Sequence, residues 1–183
     1  MRKFLIFIWE IIKIIVISLL IVVPIRYFLI QPFFVKGASM EPNFDDGQYL
    51  IIDEISYRFR LPERGEVIVF KYPQDPSQYY IKRIIGLPGE TVEIISGYVI
   101  IYNHQNPQGK ILDENQYLDI RQETLGNVKI TLVKDEYFVL GDNRPASSDS
   151  RRWGPLRTDY IIGRAWIRAW PPEKAEVFAA PNY

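Results

Sequence analysis

Three stretches of this 183-residue chain carry side chains able to do covalent chemistry. The first is Gly37-Ala-Ser-Met-Glu-Pro42. Pro42 disfavours helix at Glu41, and Gly37 admits an unusual backbone just before the serine. The two predict an exposed, rigid turn that presents the Ser39 hydroxyl. Taken alone, the fragment reads more simply as an ordinary loop serine.

A serine nucleophile needs a base. The chain has one histidine and no cysteine. His104 lies in the polar run Asn-His-Gln-Asn-Pro and reads as a solvated surface residue. Lysine is the alternative base, provided burial lowers its pKa from about 10.4 by several units. The second stretch, Tyr79-Tyr-Ile-Lys-Arg-Ile-Ile85, sets Lys82 among aromatic and β-branched neighbours. Strand alternation puts Tyr80, Lys82 and Ile84 on one face and Arg83 on the other. By itself this run also fits a lysine on a solvated strand face.

The third stretch is Gly141-Asp-Asn-Arg-Pro-Ala-Ser-Ser-Asp-Ser-Arg-Arg-Trp-Gly154, which follows the apolar run Tyr137 to Leu140. Gly-Asp-Asn is turn chemistry. Such a loop can orient a lysine amine through a serine hydroxyl and lock itself with a bidentate Asp–Arg pair. A solvated surface loop is the plainer reading.

These residues need elements to hold them. Phe4 to Ile30 is mostly Ile, Leu, Val and Phe. Its window Ile11 to Ile30 would span about 30 Å as a helix, the thickness of a hydrocarbon core. Lys13 and Arg26 can snorkel from its ends, and Pro24 is a candidate kink. Arg2, Lys3 and Lys13 flank the N-terminal side, which places that side in the cytoplasm by the positive-inside rule. A cleaved signal peptide competes with this reading, but the apolar run is long and carries internal charges.

Beyond Pro32 the pattern is short apolar runs separated by turns. Strands are expected at Tyr49 to Asp53, Glu66 to Tyr72, Tyr79 to Leu87, Thr91 to Ile95 and Tyr98 to Tyr102. Others are expected at Val128 to Val133, Tyr137 to Leu140 and Ile161 to Trp170. Leu87-Pro-Gly-Glu90 fits a type II turn, and Ser96-Gly97 a hairpin. Residues 103–127 are polar and weakly patterned, an insertion or cap. The fold class is mainly β: a single N-terminal transmembrane helix over residues 1–31, then a β-rich domain of coiled antiparallel sheets over 32–183.

Composition excludes several functions. Lys plus Arg and Asp plus Glu are 22 each, so no basic field argues for nucleic acid. Without cysteine there are no disulfides or thiolate sites, and one histidine rules out a His-rich zinc site. No metal and no cofactor is expected.

GASMEP (37–42), YYIKRIIGLPGE (79–90) and GDNRPASSDSRRWG (141–154), in this order behind one anchor, resemble the type I signal peptidases, the Ser–Lys leader peptidases. The resemblance runs from the anchor to about Trp170. It implies that Ser39 is the acylating nucleophile and Lys82 the general base. It implies that Ser147 orients the lysine amine, and that Asp149 and Arg151 hold the loop. Phe33, Val35, Met40, Tyr80 and Ile81 would line an extended substrate cleft, with the backbone of 80–82 pairing with the substrate as an added strand.

The implied reaction is endoproteolysis of exported preproteins after Ala-X-Ala sites. The implied partners are preprotein signal peptides, membrane lipid and the nearby export machinery. The implied location is the cell membrane, with the catalytic domain outside, or a thylakoid membrane where the source has one. A narrow-specificity or self-cleaving Ser–Lys protease and a silent tethered binding module are the alternatives. Four positions depart from the family pattern. Gly37 stands where some members carry an oxyanion-stabilising hydroxyl, Asn43 and Phe44 replace Thr and Leu, and Glu90 replaces Asp.

Overall fold

The apolar N-terminal run forms α1, Arg2–Phe28. The structure, a computed structural model, describes residues 2–28, 30–119 and 122–181, and of residues 5, 24–28, 30 and 31 the backbone alone. From Arg2 to Val23 the helix is apolar and long enough to cross a membrane, with none of it buried against the rest of the protein. Phe4, Trp9, Ile14 and Leu20 are exposed around it. A helix apolar on every side is one whose solvent is lipid. Lys13 pairs with Glu10 at 2.7 Å, one turn away. The side chains of Pro24 and Arg26 lie outside the described residues.

The helix ends earlier than the hydrophobic run does. At Ile30 the chain is already β1, Ile30–Phe34, paired antiparallel with β2, Tyr49–Asp53. An apolar residue serves a membrane helix and a sheet equally well, so composition does not mark this junction.

Ten further strands follow: β3 (Val67–Tyr72), β4 (Asp75–Gly86), β5 (Thr91–Ile95), β6 (Tyr98–Tyr102), β7 (Lys110–Ile111) and β8 (Val128–Thr131), then β9 (Glu136–Leu140), β10 (Leu156–Arg157), β11 (Ile161–Trp170) and β12 (Glu176–Val177). One short helix, α2 (Ser150–Trp153), lies in the third stretch. The larger sheet runs β1-β2-β11-β3-β4-β9-β10, with β12 against β11. The smaller runs β7-β6-β5-β8. All pairings are antiparallel.

The turns obey local sequence. Glu90 N–H donates to the Leu87 carbonyl at 3.1 Å and Gly89 has φ +81°, a type II turn. Ser96 and Gly97 both take positive φ between β5 and β6. The β-branched and aromatic residues of these runs alternate into three apolar cores. One core, including Ile85, Val92, Ile94, Leu132, Phe138 and Leu140, fastens the small sheet onto β4 and β9.

One irregularity matters for function. β4 pairs with β3 from Tyr79 to Arg83, but with β9 only from Arg83 onward. Among the described residues, Tyr79–Lys82 therefore carry no strand on their second edge. That edge is where the chain segment 33–39 approaches.

Candidate active site

Ser39 sits at the start of a tight turn, with Glu41 N–H donating to Ala38 O and Phe44 N–H to Met40 O. Met40 and Phe44 are buried and anchor the turn in the core. Gly37 takes φ +85°, and its N–H donates to Asp46 Oδ1 at 2.7 Å. An L side chain would be strained there. Ser39 itself is half-buried on this rigid base and lines the groove beside β4.

Lys82 reaches it across 43 residues of sequence. Its Nζ lies 2.7 Å from Ser39 Oγ and 2.7 Å from the Ile81 carbonyl, to which it donates. Only 3 % of Lys82 is exposed, so its charged form has lost most of its hydration. Burial holds its pKa down to about 8, against the upward pull of the Asp149 and Asp142 carboxylates. The Tyr80 ring centre is 5.5 Å from Nζ on the same strand face. Arg83 points the other way, as alternation requires. Its Nε and Nη2 clasp Asp142 Oδ1 and Oδ2 at 2.8 and 2.6 Å.

The loop after β9 closes the site from below. Asp149 caps α2 and accepts a bidentate pair from Arg151, both bonds 2.8 Å, plus the Gly141 N–H at 3.1 Å. Burial pushes the Asp149 carboxyl up, but Arg151, Ser147 and the Gly141 N–H outweigh it and leave it below the usual range. Arg151 also donates to the Arg144 and Leu125 carbonyls. Asn143 N–H donates to Ser39 O and its side chain to Ala38 O, both 3.0 Å, tying loop to turn. Ser147 is buried beside these groups, yet its Oγ makes no hydrogen bond. The lysine amine is held instead by Ser39 and Ile81 O. Ser147 Oγ lies close enough to Asp149 to help stabilise its charge.

A groove of about 610 Å³ runs between the 33–39 segment and the open edge of β4. Phe33, Tyr80 and Ile81 line it with Ser39 and Lys82. Val35 and Met40 do not; both are buried in the core behind the turn, Met40 with its sulfur accepting from Asp142 N–H at 3.4 Å. Phe34, Ala38, Gln78, Ala146 and Ser148 line the groove without having been singled out from sequence. Among the described residues, no three His, Cys, Asp or Glu side chains converge as metal ligands would. A second cavity, about 390 Å³, is walled by Arg83, Arg164 and Arg168 with no serine, threonine or lysine.

Several residues that hold the site had no obvious signal. Asn43 donates to Asp142 Oδ2 at 2.8 Å and to Tyr117 O at 2.7 Å, while its own carbonyl accepts from Arg168. Asp142 had read as turn chemistry alone. Glu90 is a turn lock: it accepts from Leu87 N–H, Arg64 and Asn103. Residues 103–119 and 122–127 wrap the far side of the loop. Glu114 pairs with the buried Arg144, Gln122 donates to Asp142 O, and Arg83 lies over the Tyr117 ring. The extra charge of Arg144 within a dense loop was the one hint that it needed a distant acid.

This chain matches the family described as "Signal peptidase, peptidase S26" over residues 8–170. It is 40% identical over 165 residues to "Probable signal peptidase I-2" of Synechocystis, covering 87% of this chain and 72% of that one. It is 38% identical over 181 residues to "Signal peptidase I" of Leptolyngbya laminosa, covering 94% and 85%. It is 33% identical over 159 residues to "Thylakoidal processing peptidase 1, chloroplastic" of Arabidopsis thaliana, covering 81% and 44%. The chain belongs to the signal peptidase family, peptidase S26.

Proposed function

We propose that this protein is a membrane-anchored endopeptidase that removes signal peptides from exported preproteins, with Ser39 as nucleophile and Lys82 as general base. The carrying observation is the 2.7 Å approach of a buried lysine amine to Ser39 Oγ beside an open strand edge. Burial supplies what a lysine base needs, a neutral amine near physiological pH.

The steps follow from that contact. An extended preprotein segment adds to the free edge at Tyr79–Lys82, its small side chains seated against Phe33 and Ile81. The Ala-X-Ala preference is assigned to this groove because apolar Phe33 and Ile81 wall it beside Ser39. Neutral Lys82 takes the Ser39 proton as Oγ attacks the scissile carbonyl. Ser39 N–H, which makes no backbone hydrogen bond among the described residues, is assigned as a donor to the developing oxyanion. The ammonium then protonates the departing amine of the mature protein. The acyl-serine remains, and a water deprotonated by Lys82 releases the signal peptide. Ser147 is assigned the orienting of this amine during proton transfer. Asp149 and Arg151 keep the loop in place.

The anchor gives the tether a purpose. A signal peptide's cleavage site emerges at the membrane surface, so α1 sets enzyme and bond at one depth. The basic residues at the N-terminus put that end in the cytoplasm and the β domain on the far side. The location is the cell membrane, or a thylakoid membrane as in the Arabidopsis relative's name. Preproteins, lipid and the adjacent export machinery are the partners.

The test is cleavage of a purified preprotein bearing an Ala-X-Ala site, in detergent, with sequencing of the new N-terminus. Cleavage after that site by the wild type, lost in both Ser39→Ala and Lys82→Ala with the fold kept, is expected. Full activity in either variant would remove the dyad.

A further inference from the structure

We propose that Lys36 is a specificity-determining residue, favouring preproteins with an acidic side chain within three residues of the cut. The proposal rests on the peptidase reading above. Lys36 lines the groove and is exposed. Among the described residues it forms no ion pair. The groove's lining holds one other cation, Lys82, and no carboxylate. Asp46, the acid that meets the nucleophile turn, is taken by the Gly37 N–H and lies off the groove wall. A bound peptide thus meets the Lys36 ammonium with no carboxylate on the groove wall itself, Asp46 lying behind it at Gly37.

Reach decides which substrate positions feel this charge. Three trans peptide units separate Lys36 from Ser39, at most about 11 Å between Cα atoms. The flexible four-carbon stem of lysine sweeps several ångströms more. An extended substrate advances about 3.3 Å per residue, so residues within three of the scissile bond, about 10 Å, fall inside that maximum reach. Alternation turns the two small Ala-X-Ala side chains toward the apolar floor, at Phe33 and Ile81. The side chains between and beyond them point away from that floor, where an exposed lysine lining the groove can meet them. The attraction is that of an exposed pair: modest, and weakened by salt.

The experiment uses full-length protein in neutral detergent and a set of preprotein-derived peptides. The reference peptide is uncharged near its Ala-X-Ala site. Others carry a single Asp or Lys at each position within three of the cut, leaving both alanines. The quantity read is the Asp-to-Lys ratio of kcat/KM at each position, for wild type, Lys36→Gln and Lys36→Glu. The wild type is expected to favour Asp about three- to tenfold at one or more positions, less at about 0.5 M salt. The ratio should fall toward one in Lys36→Gln and invert in Lys36→Glu. A ratio unchanged by both substitutions at every position would overturn the proposal while leaving the Ser–Lys reading intact. Failure of the wild type to cleave the reference peptide would overturn that reading and this one together.

Discussion

Arg83 and Asp142 form a closed bidentate pair at 2.8 and 2.6 Å, both nearly inaccessible to water, one residue along the strand from Lys82. The pair fixes the β4 backbone to the loop that carries Asn143 and Ser147. Lys82 and Arg83 therefore divide the work of adjacent strand positions: one face does chemistry, the other locks the frame. Removing one partner leaves the other as an uncompensated buried charge. Arg83→Met should destabilise the fold by about 3–5 kcal/mol, seen as a lower denaturation midpoint. Loss of less than about 1 kcal/mol would mean that water relieves Asp142 and that the pair is not the lock.

Lys82 sets a pH profile. Its amine must be neutral to accept the Ser39 proton, and burial brings its pKa to about 8. Below that value log kcat/KM should climb with a slope near one and level off above it. The single-turnover rate on one peptide between pH 6 and 10 measures it, with enzyme and substrate stability checked at each end. A rate independent of pH across that range would exclude lysine as the base.

The same burial makes a stability prediction with a definite sign. The folded-state pKa is depressed from 10.5 to about 8, so between these values the unfolded chain binds more protons. Wild-type stability should rise as pH climbs through that window, and carry the full penalty below it. Lys82→Met removes the buried charge and should raise Tm at pH 7, by at most roughly 3 kcal/mol of stability. The lost bonds to Ser39 and Ile81 O reduce this gain. The advantage should shrink from pH 8 toward 10.5; a variant less stable at pH 7 would mean the amine's hydrogen bonds outweigh its desolvation.

Much of this frame is legible in the sequence because it depends on local rules. Strand alternation separates Lys82 from Arg83, and Pro88-Gly89 forces its turn whatever surrounds it. Asp149 and Arg151 stand two apart, close enough for their pairing to be local. What was not legible is long-range. Val35 and Met40 sit within a few residues of Ser39, yet face the core, because the turn's pitch is set by contacts with Asp142 and Phe44's neighbours. Asn43 joins residues about a hundred positions away. Glu114, Tyr117 and Gln122 lie in a stretch with no period of its own, and they are held by Arg144, Arg83 and Asp142. The end of α1 was hidden because an apolar run continues straight into β1.

Ser147 offers the sharpest separation between catalysis and stability. Its Oγ is buried without a hydrogen bond, and its neighbour Gly141 is packed so tightly that a Cβ there would collide with Ser147 Oγ and the Ser39 carbonyl. A buried unpaired hydroxyl costs on the order of 1 kcal/mol or more. If the hydroxyl serves the Lys82 amine as it exchanges protons, Ser147→Ala should lower kcat by about tenfold or more, within the range of general acid–base contributions. Stability should meanwhile change by no more than about 1 kcal/mol, because losing an unsatisfied hydroxyl is offset by losing its support of the Asp149 charge. KM should change little, since Ser147 does not line the groove. The two readouts, kcat by preprotein cleavage and midpoint by thermal denaturation, separate, kcat falling while the midpoint holds, only if the hydroxyl is kept for the reaction. Unchanged kcat would strip Ser147 of the orienting role, and a fall in both would make it a packing residue.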